Sequence, residues 1–114
     1  MSWKKALLTF SLLLGLLLLA GCPEHKSISA ILNDPAYYSN RDVSVAGTVT
    51  RSFGMLGTGV YEIDDGTGKM WVFAEHTGVP SQGARVASIG RVVPTLSFAG
   101  VNYATVLRER ERKH

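Results

Sequence analysis

The chain has one cysteine, Cys22, in 114 residues, so no disulfide can form within it. Histidine is nearly as sparse. His25, His76 and His114 stand alone, with no second ligand at metal-binding spacing, and no metal or other cofactor is expected. No serine has convincing His and Asp partners for a nucleophilic triad. Gly66-Thr67-Gly68-Lys69 lacks the spacing and the following hydroxyl of a phosphate loop. Asp64 and Asp65 are neighbours, and neighbours on a strand face opposite ways, so they do not form a carboxylate pair. The chain is also too short for a two-domain enzyme or a doubly wound nucleotide-binding domain. A non-catalytic protein is expected.

A surplus of positive charge is missing too, once the chain is divided. The net +3 comes from 12 Lys and Arg against 9 Asp and Glu. Lys4 and Lys5 lie in the first segment, and Arg108 to Lys113 adds four bases and two acids. The body from Cys22 to Leu107 has six bases and seven acids, a net −1. That body lacks the basic face a phosphate-neutralising domain needs, which argues against nucleic acid as a partner.

What is present begins at the N-terminus. Two lysines precede an apolar stretch of about 14 residues, Ala6 to Leu19, which ends in Ala20-Gly21. This is the layout of a secretory signal peptide over 1–21. The stretch falls short of the roughly 20 apolar residues of a spanning helix. Leu19-Ala20-Gly21-Cys22 resembles the bacterial lipobox. The resemblance implies cleavage before Cys22, a diacylglycerol on its thiol and acylation of the new amine. Two or three acyl chains make a lasting membrane anchor, where one chain is marginal. Lipoproteins of the inner membrane often carry Asp after the cysteine. Here Pro23 follows, so the resemblance favours the outer membrane, with the protein facing the periplasm.

Residues 22–26 read as a tether. Ile28, Ile31 and Leu32 have helical spacing, with Ser27 or Ser29 as cap and Asp34-Pro35 as stop. From Val43 the period becomes two. Strands are expected at Val43 to Thr50, Val60 to Asp64, Lys69 to Ala74, Val86 to Val92 and Val101 to Leu107. Asp65-Gly66-Thr67-Gly68 is a hairpin turn, and the stretches from Ser52 to Gly59 and from Pro94 to Gly100 read as loops. Gly47 and Gly90 fall mid-strand, where a strand bends or is closely approached. Val45, Val49, Ile63, Val72 and Val86 are the expected core, and residues 108–114 a solvated or frayed tail.

Five short strands with two bends suggest a small closed barrel. Val43-x-Val45-x-Gly47-x-Val49, Tyr61 to Lys69, and Gly83-Ala84-Arg85-Val86 leading to Gly90-Arg91-Val92 resemble an OB-fold domain of the anticodon-binding type. The domain, with its N-terminal helix, covers 27–107. The resemblance implies an all-β, five-stranded Greek-key barrel whose ligands lie across its second and third strands. Strand alternation aims Trp71 and Phe73 outward there. Phe53, Met55 and Leu56 lie in the first loop, and Phe98 in the last. These six residues are the candidate binding face, since aromatic faces stack on rings. The expected partners are the membrane, through lipidated Cys22, and a protein, peptide or glycan of the cell envelope. The alternative is single-stranded nucleic acid or an oligosaccharide, as the fold family binds.

Overall fold

Val43, Val45, Gly47 and Val49 are buried while Ser44, Ala46, Thr48 and Thr50 are only partly covered, the period-two pattern of a strand with one wet face. They lie in the first half of one of the two longest strands in a computed structural model that describes residues 24–114. The expected signal peptide and Cys22 lie outside the described residues. The elements run β1 (Glu24–His25), α1 (Ile28–Asn33), α2 (Pro35–Tyr38), β2 (Asp42–Met55), β3 (Thr58–Asp64), β4 (Lys69–Ala74), β5 (Arg85–Phe98) and β6 (Val101–Lys113). The sheet order is β1-β2-β3-β4-β6-β5, and a β2–β5 ladder closes β2 through β6 into a five-stranded barrel. The structure is all-β with a closed barrel and a short N-terminal helix, as the sequence implied. β1 is an extra strand, parallel to β2 at Val43 and Ser44.

The core is Ile28, Ile31, Val43, Val45, Val49, Tyr61, Ile63, Met70, Val72, Ala74, Val86, Val92 and Leu107. All five expected core residues are in it. Gly47 and Gly90 mark close approaches. A Cβ on Gly47 would lie 2.8 Å from the Asp64 carbonyl carbon, and one on Gly90 2.8 Å from that of Arg108.

Helix α1 closes one end of the barrel. The Ser27 hydroxyl accepts from the Ala30 amide at 3.2 Å, as a cap should. The β3–β4 turn supplies the remaining acceptors. Asp65 Oδ2 accepts from the Ile28 amide at 2.9 Å, and Thr67 Oγ1 from the Ser29 amide at 3.1 Å. Asp65 Oδ1 also takes the amides of Thr67 and Gly68. Burial works to raise the Asp65 pKa, but hydrogen bonds from Thr67, Ile28 and Gly68 outweigh it and hold the carboxyl below its ordinary range.

Four expectations are corrected. Residues 24–26 are not a free tether: β1 pairs with β2, and the Lys26 amide donates to the Ser44 carbonyl at 3.0 Å. The connector after Asp34 holds α2, with Pro35 at its first turn, where a missing N–H costs nothing. The stretches 52–59 and 94–100 are not loops. Both are hairpins with two-residue turns, Leu56-Gly57 and Ala99-Gly100, in which every φ is positive. Residues 108–113 are not a frayed tail, because β6 runs to Lys113 and pairs with β5 back to Ala87.

Candidate functional site

Strict alternation from Val43 would turn Arg51, Phe53 and Met55 into the barrel. A bulge reverses them. Val49 pairs with Ile63 and Arg51 with Glu62, leaving Thr50 as the extra residue. Beyond it, Ser52 shares the inner face with Tyr61, and Arg51, Phe53 and Met55 point outward. Cross-strand partners share a face, so the outer surface of β2, β3 and β4 carries two full rows. One is Arg51, Glu62, Trp71; the next is Phe53, Val60, Phe73.

The hairpin of β5 and β6 lies over these rows. The Phe98 ring is 6.0 Å from Phe53 and 5.9 Å from Phe73, bridging them, and Val60 between is fully buried. The Tyr103 ring lies 5.0 Å from Trp71, tilted by 58°, with the Arg51 guanidinium 4.9 Å from the indole. Arg51 also pairs with Glu62 at 3.0 Å and holds that carboxyl below its ordinary range, with help from Thr50. Pro94 lacks a ladder N–H, and Thr105 opposite has φ 52°, rare for a β-branched residue. The arm leaves the barrel at that point.

Of the six candidate residues, Phe53, Phe73 and Phe98 form one ring cluster, Trp71 packs against Tyr103 on the same outer face, and Met55 continues that face. Trp71 and Phe73 are half-buried, against fully buried Met70 and Val72. Leu56 sits apart, at the hairpin tip, 99% exposed with φ 56°. Phe53 and Met55 are about half exposed, as is Val101 on the second hairpin. Sequence reasoning missed Tyr103 and the Arg51–Glu62 pair. The period of β6 alone could have suggested Tyr103, whereas the Arg51 pairing depends on the bulge.

The first hairpin is braced from inside. Glu109 accepts from the Tyr61 phenol and, at 2.9 Å, from the Ser88 hydroxyl. Burial, then the carboxylate beside it, push the Tyr61 phenol far up. Arg112 lies 3.4 Å from Glu109 and donates to the carbonyls of Thr77 and Gly78. The Gly78 amide in turn donates to the Gly57 carbonyl at 2.9 Å, at the hairpin turn. Residues of the charged terminal run thus hold the tip that carries Leu56. Among the described residues, no three His, Cys, Asp or Glu side chains gather as a metal site.

No family model matches the chain, and no curated protein matches it in sequence. A solved structure does match in fold: OBody AM3L09 bound to hen egg-white lysozyme. It has a TM-score of 0.52 and 18% identity, over 67% of this chain and 82% of that one. The fold is a small OB-like barrel. No helix among the described residues is long and apolar enough to cross a membrane.

Proposed function

We propose that the chain is a lipoprotein, acylated on Cys22 and facing the periplasm, with the outer membrane favoured over the inner. Its OB-like barrel serves there as a non-catalytic module that binds an envelope protein, peptide or glycan. The observation that carries the binding reading is the outer face of Phe53, Trp71, Phe73 and Phe98, continued by exposed Met55 and Leu56. A leucine wholly in water, in a backbone conformation that leucine disfavours, serves no folding purpose. A barrel of similar fold holds a protein, lysozyme, in the OBody complex. Arg51 on Trp71 is an arrangement that could also stack a base, but Glu62 already neutralises it.

The test is a photocrosslinking side chain at Met55 in growing cells. Discrete adducts should form, and Leu56→Asp should remove them without lowering the melting temperature. Absence of adducts would refute the face as a binding surface. Salt-dependent capture of a single-stranded oligonucleotide would favour the nucleic-acid alternative.

A further inference from the structure

Where it leaves the barrel, the hairpin of β5 and β6 becomes a two-sided arm. Leu96 pairs with Tyr103 and Phe98 with Val101, so these four share one face. Thr95, Ser97, Asn102 and Ala104 share the other, and all four are exposed. The apolar face rests on the outer rows, with Phe98 against Phe53 and Phe73 and Tyr103 against Trp71. Among the described residues, the arm has no polar tie to the barrel. β5 last meets β2 at Arg91 and β6 first meets β4 at Leu107, so from Val93 to Val106 the two strands pair only with each other. No hydrogen bond or ion pair joins 94–105 to another element, and the Ser97 hydroxyl donates within the arm, to Asn102.

The arm also has a defined place to turn. Val92 is its last fixed residue, exchanging backbone hydrogen bonds with Asn40 at 2.7 Å and Arg41 at 3.0 Å. Beyond it, Pro94 and Thr105 are the one position of the ladder left unpaired. Pro94 has no N–H to give, and Thr105 has φ 52°, a conformation that a β-branched side chain resists. Both residues line a cavity of about 520 Å³ with Pro35, Ala36, Ser39 and Val92, so free space lies beside the joint. The first hairpin is different. Its Ser52 hydroxyl donates to the Pro80 carbonyl at 2.6 Å, and its Gly57 carbonyl takes the Gly78 amide at 2.9 Å. One arm is tied down, and the other is held by ring packing.

We propose that residues 94–105 are a hinged cover that turns at Pro94 and Thr105 and, in this closed position, shields Phe53, Phe73 and Trp71 beneath Phe98 and Tyr103. Opening separates rings, leaves every ladder of the barrel intact and releases the strain at Thr105. Ring packing favours the closed position and the strain opposes it. The arm therefore sets access to the indole and to the two phenyl rings. That consequence rests on the reading of this face as a binding surface, whereas the hinge does not.

Hydrogen exchange of the full chain in detergent, read on peptides by mass spectrometry, tests the hinge without any partner. Amides of 95–104 should exchange at least about tenfold faster than those of β3 and β4, yet more slowly than in an unstructured peptide. Phe98→Ala should speed the arm by about tenfold and leave β3 and β4 unchanged. Thr105→Gly, which takes up the left-handed backbone freely, should slow the arm by about fivefold. Hydroxyl-radical labelling of Trp71 should rise in Phe98→Ala and fall in Thr105→Gly.

Arm amides that exchange no faster than β3 and β4 mean that the arm opens only with the whole barrel, and overturn the proposal. Exchange at the rate of an unstructured peptide, indifferent to Phe98→Ala, means that no closed position exists and overturns it too. Unchanged or faster exchange in Thr105→Gly removes the hinge from that residue. Trp71 labelling that ignores both substitutions removes the cover. Crosslinking from Met55 separately reports the binding face, so its failure is distinguishable from failure of the hinge.

Discussion

Replacing Leu56 by Asn should make the protein more stable. Leu56 and Gly57 have φ of 56° and 82°, the paired left-handed conformations of a two-residue hairpin turn. A side chain such as leucine costs about 1–2 kcal/mol in that region. Asn tolerates it and is the preferred first residue before Gly, so Leu56→Asn should recover about 0.5–1 kcal/mol. Burial offers no offset, because the leucine is almost wholly in water and has no contact area to lose. For a domain of this size the gain corresponds to a rise in Tm of about 2–8 °C, read by thermal melting in circular dichroism. Ala99→Asn, at the matching turn with φ 51°, should give a smaller rise in the same direction. The two variants should part in cells: Leu56→Asn should weaken crosslinking from Met55, and Ala99→Asn should leave it intact. A fall in Tm for Leu56→Asn would show that the leucine packs in the folded state and would refute the reasoning. Undiminished crosslinking would refute its role in partner capture.

Asp65→Asn should cost about 1–2 kcal/mol, because the new amide presents N–H to the Ile28 amide it must accept from. The native carboxyl has a depressed pKa in the folded state, so its contribution is complete above the ordinary aspartate range near pH 4. That contribution is lost as pH falls through the lower folded value, and the gap between native and variant melting curves should narrow in acid. Glu109→Ala strands the Tyr61 and Ser88 hydroxyls and the Arg112 guanidinium, at a cost of about 3–5 kcal/mol by urea titration. Gly47→Ala meets backbone carbonyl rather than a movable side chain and should cost about 3 kcal/mol or more, also by urea titration. Cys22→Ser should abolish incorporation of labelled palmitate, and labelling that persists would remove the lipoprotein reading.

The barrel was legible because its signals are local. Val43, Val45 and Val49 alternate, Asp65-Gly66-Thr67-Gly68 turns, and Gly47 and Gly90 interrupt strands where only hydrogen fits. The face was half legible. Trp71 and Phe73 follow from the phase of one strand, but the outward aim of Phe53 depends on the extra residue at Thr50, which no local preference of Thr announces. The terminal charges misled for a similar reason. Arg108 to Lys113 alternates sign, as a solvated strand would. Only the distant Tyr61 and Ser88 show why Glu109 is inside. Asp65 was read correctly as a turn residue, yet its second role, receiving the first amide of a helix 37 positions earlier, is invisible to any local pattern.

β6 is made after every other strand of the barrel, yet it lies between β4 and β5. Until it arrives, β2 to β5 can form hairpins, but β4 and β5 each present a bare edge. Leu107, Glu109 and Arg112, which fill and brace the interior, are not yet there. The emerging chain therefore has no early stopping point resembling the finished molecule. For a polypeptide threaded across a membrane in extended form, premature closure would jam the passage. On the lipoprotein reading proposed above, strand order would postpone closure until β6 is through. The same order leaves a chain whose β6 has yet to pair open to edge-to-edge pairing with its neighbours during that interval.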